Sequence, residues 1–140
     1  MTKIAKYKTS SAAEARCCYS RVVAVDNWIF VSNTAGRNPF TKIIPTDITE
    51  QTRQVFDNIE AALVGAKSCL ADVIAARVYI YDPKNTDAVM QIFAEKFAET
   101  VPTLTSVCPP LCSTDYGVEI EVTAWRGAAQ AEIERITLNY

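Results

Sequence analysis

The 140-residue chain contains no histidine. That absence removes Ser-His and Cys-His nucleophile pairs, imidazole general bases and every His-containing metal site in one step. Acid–base chemistry must then fall to carboxylates, Tyr, Lys, Cys or the backbone. A second absence is local: from Phe97 to Trp125 there is no Lys or Arg, although Glu99, Asp115, Glu119 and Glu121 all fall there. Nor does any stretch approach the roughly 18 uninterrupted apolar residues of a membrane span, and "MTKIAKYKTSSAAEA" offers no apolar run for a signal peptide. A soluble, cytoplasmic protein with no membrane partner is expected.

The cysteines, Cys17, Cys18, Cys69, Cys108 and Cys112, form an odd set with an adjacent pair, unlike a secreted disulfide framework. A four-sulfur zinc site would need Cys17 and Cys18 to point the same way, which strand geometry opposes, so no metal is expected. Cys108 and Cys112 have no His, Lys or Arg nearby in sequence to lower their pKa, and read as buried, inert sulfur. The net charge of −2, with Lys and Arg scattered, leaves no basic stripe for nucleic acid. With 49% apolar and 21% charged residues and no low-complexity block, residues 1–140 read as one globular domain.

Two β-branched and aromatic runs in "RVVAVDNWIFVSN", residues 21–33, are separated by Asp26-Asn27 and predict a hairpin. A long loop with Gly36, Pro39 and Pro45 follows, carrying Arg37 in its middle. Asp47 with Glu50 three residues on marks a helix start, and Thr52, Val55, Phe56, Ile59, Ala62, Leu63 and Ala66 recur at helical spacing. "DVIAARVYIYD", Asp72 to Asp82, reads as a strand ended by Pro83. A second helix from Thr86 places Val89, Met90, Phe93 and Phe97 on one side and stops at Pro102. A short strand from Thr103 to Cys108, the loop "PPLCSTDYG" and a last strand from Val118 to Arg126 complete the order β-β-α-β-α-β-β. This is an α+β pattern in which two helices cover one face of a mixed sheet. The other face needs a cover. Arg77 and Tyr79, alternating with Val78 and Ile80, make it too apolar and too specific for water alone, so a homo-oligomer is expected.

On the last strand Val118, Ile120 and Val122 share one face, and Glu119, Glu121 and Thr123 the other. Two acids roughly 6.5 to 7 Å apart are close enough to raise one pKa if secluded from water, which suits a proton shuttle or a group that orients water. The plainer alternative is that both are solvated or paired with Arg53, Arg77 or Arg126 of a neighbouring chain. Tyr19 reads equally as a pocket ring or a core aromatic.

The order of elements, with "YSRVVAVDNWIFVSN", "QTRQVFDNIEAALVGAKSCLADVIAARVYIYD" and "VEIEVTA", resembles the RidA (YjgF-type) reactive-intermediate deaminase family. The resemblance runs from about Tyr19 to Gly127 and leaves residues 128–140 as a C-terminal extension, either an extra edge strand or a tail packed on a neighbour. It implies a chorismate-mutase-like subunit in a homotrimer, with small-molecule clefts between subunits. It also implies cofactor-free hydrolysis of 2-imines and 2-enamines to 2-keto acids and ammonia. Carried over residue by residue, Tyr19 and Ser32 match pocket residues and Glu119 the water-positioning acid. The family's carboxylate-gripping arginine, in a Pro-x-Arg-Ser context, falls on Leu104, and its cysteine two places on falls on Ser106. Asn33-Thr34 replaces the usual Gly-Gln, and Met90 stands where an asparagine is common. Leucine cannot donate to a carboxylate, so weak turnover of ordinary 2-imino acids is expected. Either Arg37 enters the cleft instead, or the ligand lacks a carboxylate and prefers the apolar wall of Leu104 and Met90. A non-catalytic homotrimer that binds a small metabolite is the alternative function. RNA cleavage, also attached to this family, is opposed by the acidic balance and the missing histidine.

Overall fold

Six strands form one mixed sheet in the computed structural model, which describes residues 1–140. In chain order the elements are β1 (Ile4–Tyr7), α1 (Ala12–Arg16), β2 (Val22–Val25), β3 (Trp28–Ala35), α2 (Ile48–Gly65), β4 (Val73–Ile80), α3 (Thr86–Phe97), β5 (Thr103–Val107) and β6 (Val118–Trp125). The strands lie in the order β1-β2-β3-β6-β4-β5; only β4 and β5 run parallel. The expected α+β architecture is therefore present, with the hairpin turn at Asp26-Asn27 between paired Val25 and Trp28. Asp26 there adopts φ +52, a left-handed conformation that Asp tolerates in a tight turn.

Two elements were not legible in advance. β1 is four residues long and broken by a lysine, so it has no readable period; its backbone pairing with β2 holds it. α1 has only five residues, too few to show helical spacing. The C-terminal extension forms neither an edge strand nor a helix: after a single 3-10 turn at Ala128–Gln130 it runs irregularly and exposed, with Arg135 Nη2 donating to the Glu99 carbonyl at 3.0 Å.

α2 begins as its sequence requires, the Asp47 carboxylate accepting from the Glu50 N–H at 3.0 Å. Val55, Phe56, Ile59 and Leu63 from α2, with Val89, Ile92, Phe93 and Phe97 from α3, are buried against Val31, Val78, Ile80, Val118, Ile120 and Val122 of the sheet. The Phe56, Phe93 and Phe97 rings meet edge-on or tilted, with centroids 4.7 to 6.4 Å apart. The opposite sheet face has no helix on it. There Trp28 and Trp125 make a T-shaped pair with centroids 5.1 Å apart, Phe30 stacks beside Trp28, and all three are exposed.

Candidate functional site

The placement of β6 starts from a buried glutamine on α2. Gln51 Nε2 donates to the carbonyls of Pro45 at 2.7 Å and Asp115 at 3.2 Å, and its Oε1 accepts from the N–H groups of Gly117 at 2.7 Å and Val118 at 3.3 Å. One side chain thus ties the first turn of α2 and two loops to the start of β6. Gly36 packs against the same residue, close to the Gln51 carbonyl and 2.7 Å from Gln51 Cγ at the point where a Cβ would stand. No other residue fits there without moving backbone.

Glu119 is the second residue of β6, opposite Ala35 of β3 and Tyr79 of β4, on the sheet face that carries no helix. The alternation read from sequence holds: Val118, Ile120 and Val122 are buried, and Glu119, Glu121 and Thr123 are half-buried on the other side. The two acids differ in company. Glu121 Oε1 accepts from Arg77 Nη1 of the same chain at 2.9 Å and from the Tyr79 hydroxyl at 3.1 Å. The pairing considered with a neighbouring chain is thus made within this one, because Arg77 stands directly across from Glu121. Arg53 pairs instead with Glu95 at 3.1 Å, and Arg126 donates to the carbonyls of Ala66 and Asp26. Glu119 is held by no hydrogen bond in the chain. Burial raises its pKa above the usual carboxylate value, and the charge of Arg21 opposes that rise. The cause is desolvation, not repulsion from Glu121.

Across from Glu121, two residues along β6 from Glu119, the β3–β6 ladder is irregular. Val31 faces Val122 and Thr34 faces Ile120, so Ser32 and Asn33 form a β-bulge with one residue more than the partner strand. Ser32 Oγ donates to the Ser20 carbonyl at 2.7 Å, and Thr34 Oγ1 to the Ser32 carbonyl at 2.7 Å. Tyr19 lies on the loop that enters β2, partly buried, with the Arg21 guanidinium carbon 5.8 Å from its ring centroid. It is thus a rim residue and not a core aromatic. Tyr19, Ser32 and Asn33 are thus tied together through Ser20 and Arg21, while Glu119 pairs further along β3, opposite Ala35.

The other expected residues do not join them within a single chain. Leu104 and Ser106 sit on the edge strand β5 in register with Ala76 and Val78, whose side chains face the helices. They project from the opposite face to Glu119, and Leu104 is 44% exposed at the sheet edge. Arg37 is exposed and folded onto its own loop, its Nε donating to the Lys42 carbonyl at 3.2 Å. Met90 packs against the core from α3. Cys108 and Cys112 are exposed rather than buried, because β5 is an edge and the following loop runs over the surface. On the helix-free face a small cavity of about 90 Å³ opens between Arg77, Thr103, Thr105 and Glu121, without Glu119 in its wall.

The group that sequence reading missed is Glu14 with Arg21. Glu14, 1% exposed, accepts from Arg21 Nε at 3.0 Å, from the Thr9 N–H at 2.7 Å and from the Thr9 hydroxyl at 3.0 Å. Burial pushes its pKa up, but these hydrogen bonds and the Arg21 charge prevail and hold it below the usual carboxylate value. Arg21 Nη1 also donates to the Asn33 carbonyl at 3.1 Å and to Thr34 Oγ1 at 3.3 Å. The available signal was a charged residue two positions after Tyr19, at the mouth of an otherwise apolar strand. Nothing in the sequence marked Glu14 as buried.

No helix is long and apolar enough to cross a membrane. The family model described as endoribonuclease L-PSP matches residues 9–126. A RutC family protein of Pyrococcus horikoshii is 34% identical over 109 residues, covering 77% of this chain and 86% of that protein. TdcF of Escherichia coli, provisionally named a reactive intermediate deaminase, is 29% identical over 113 residues, covering 79% of this chain and 88% of its own. The crystal structure of Rv2704 from Mycobacterium tuberculosis, described as a member of the YjgF/YER057c/UK114 family, superposes with a TM-score of 0.80 at 30% identity, covering 88% of this chain and 99% of that one. With the family match spanning most of the sequence and the same fold in a relative, the chain belongs to the RidA/YjgF/UK114 family.

Proposed function

We propose that three copies of this chain assemble with their helix-free sheet faces inward, and that small imines or enamines are hydrolysed in the clefts between subunits without a cofactor. The observation that carries this reading is Glu119: a half-buried carboxylate with raised pKa, free of hydrogen bonds within the chain, on an uncovered face two residues along β6 from the Ser32–Asn33 bulge. A raised pKa brings a carboxylate nearer the operating pH, which suits a general base. Glu119 takes a proton from water as the oxygen bonds to the imine carbon. The carbon–nitrogen double bond opens as that proton passes to nitrogen, giving a carbinolamine; its hydroxyl proton then moves to nitrogen as the carbon–nitrogen single bond breaks, and ammonia leaves a carbonyl product. An enamine first takes a proton on carbon to become the imine. The name given to the TdcF relative points to the same chemistry.

Association of copies explains why Leu104 and Ser106 face away from Glu119 in one chain: an edge strand reaches a cleft on the neighbour's open face, so the residues meet across the interface. Leu104 supplies no cation there. Loss of a charge partner for a buried carboxylate typically costs about 2 to 5 kcal/mol, roughly 30- to 5000-fold in affinity, so ligands without a carboxylate are favoured. That same leucine favours a second reading, a homotrimer that binds a small metabolite without turning it over. The net charge of −2 and the absence of histidine give RNA cleavage no support.

Crystals soaked with keto acids and with neutral carbonyl compounds test the reading. A neutral carbonyl compound within hydrogen-bonding reach of Glu119 is expected. A keto acid held through its carboxylate by Arg37 would overturn the preference for neutral ligands, and an empty cleft with every compound would overturn the assignment of the site.

A further inference from the structure

Arg21 has no part in the hydrolysis just described, yet it touches most of the residues that do. Of its five N–H groups, Nε is bound by buried Glu14 and Nη1 by the Asn33 carbonyl and Thr34 Oγ1, while the two on Nη2 have no acceptor in the chain. The guanidinium lies against the Tyr19 ring at a cation–π distance of 5.8 Å. Its brace is rigid, since Glu14 is itself fixed by two bonds from Thr9. The other charged and titratable groups facing Glu119 are already engaged: Tyr79, across from it on β4, and Arg77 are both bound to Glu121. On the β3 side the facing residue is Ala35.

We propose that Arg21, braced by Glu14, is the positioning residue of this site: it locks the Tyr19 ring and the Ser32–Asn33 bulge against the end of β6 and supplies the positive charge that balances Glu119. This rests on the reading of Glu119 as the working carboxylate. Burial disfavours the charged form of Glu119. A guanidinium counters the burial, and Arg21 is the group whose charge does so at Glu119. The chain thus carries a cation on the β2 side of the site, although position 104 has none.

The test is a carboxyl-resonance titration of Glu119 by NMR in the assembled protein, which needs no substrate, in wild type, Arg21→Gln and Arg21→Lys. In Arg21→Gln the Glu119 midpoint moves to higher pH by at least about half a unit. In Arg21→Lys the charge remains and the fork is lost, so the midpoint stays near wild type while the Ser32 and Asn33 amide resonances shift. An unmoved midpoint in Arg21→Gln, or undisturbed bulge resonances in Arg21→Lys, overturns the proposal. If Arg21→Gln does not assemble, Glu14→Gln replaces it: the guanidinium loses its charged brace, so the Glu119 midpoint moves to higher pH and the Ser32 and Asn33 amide resonances shift, and an unmoved midpoint or undisturbed resonances overturn the proposal. A midpoint that responds to Arg21 in a protein that hydrolyses no imine would sink the hydrolase reading and leave this one standing.

Discussion

Replacing Gln51 by alanine tests how the fold holds Glu119 in place. Gln51 is 3% exposed and makes four hydrogen bonds, two to loop carbonyls and two from the N–H groups that open β6. A typical internal hydrogen bond contributes about 0.5 to 1.5 kcal/mol net, and a buried donor left unpaired costs about 1 to 3 kcal/mol. The Pro45 and Asp115 carbonyls lie on surface loops and recover water when the side chain is removed. Val118, by contrast, is fully buried, and its N–H recovers nothing. Adding roughly 1 kcal/mol for the lost packing, the expected destabilisation is about 2 to 4 kcal/mol. In urea, with a slope of about 2 kcal/mol per molar, the unfolding midpoint should fall by roughly 1 to 2 M at fixed protomer concentration. Amide exchange at Gly117 and Val118 should accelerate before exchange in the α2–α3 core does. A midpoint change below about 0.3 M, with unchanged exchange at these two amides, would refute the claim that one side chain sets the start of β6.

Glu14→Ala should destabilise by about 3 to 5 kcal/mol in the same denaturation assay, because it leaves a mostly buried guanidinium without its partner. The lowered pKa of Glu14 means that its stabilisation is present above the unfolded-state value and is lost as pH falls through the folded-state value; acid unfolding of Glu14→Gln should therefore show a shallower limb below about pH 4.5. Arg77→Ala removes a bridge whose arginine is largely exposed and screened by water, and its melting temperature should stay close to that of wild type. Gly36→Ala forces a Cβ onto the Gln51 backbone and should cost about 1 to 3 kcal/mol by chemical denaturation, with Gly117 amide exchange rising as in Gln51→Ala. Glu119 has the opposite sign to Glu14: its raised pKa means the folded state holds its proton to higher pH, so its charge costs stability as pH rises, and Glu119→Gln should melt higher than wild type at neutral pH.

What the sequence revealed follows from where a period or a cap was long enough to read. α2 showed itself through Asp47 and a repeating apolar face, and β6 through strict alternation from Val118 to Thr123. β1 and α1 escaped because four and five residues carry no period. The bulge at Ser32–Asn33 escaped as well, since register is a property of two strands and cannot be read from one. Glu119 was legible as an acid in an apolar frame, but the reason for its raised pKa was not: spacing suggested Glu121, whereas Arg77 and Tyr79 occupy Glu121 and leave burial as the cause. Arg37 stands out in the sequence by its place on a long loop, yet Arg21 is the cation whose charge bears on Glu119, a placement that only tertiary structure creates.

The most direct measurement follows carbonyl product and ammonia from freshly generated imines, with and without a carboxylate, in the presence of wild-type protein and Glu119→Gln. Wild type should accelerate release, most for imines lacking a carboxylate, and Glu119→Gln should lose about 100-fold or more while remaining assembled. Wild-type rates no faster than buffer for every imine, or an undiminished rate in Glu119→Gln, would contradict the account.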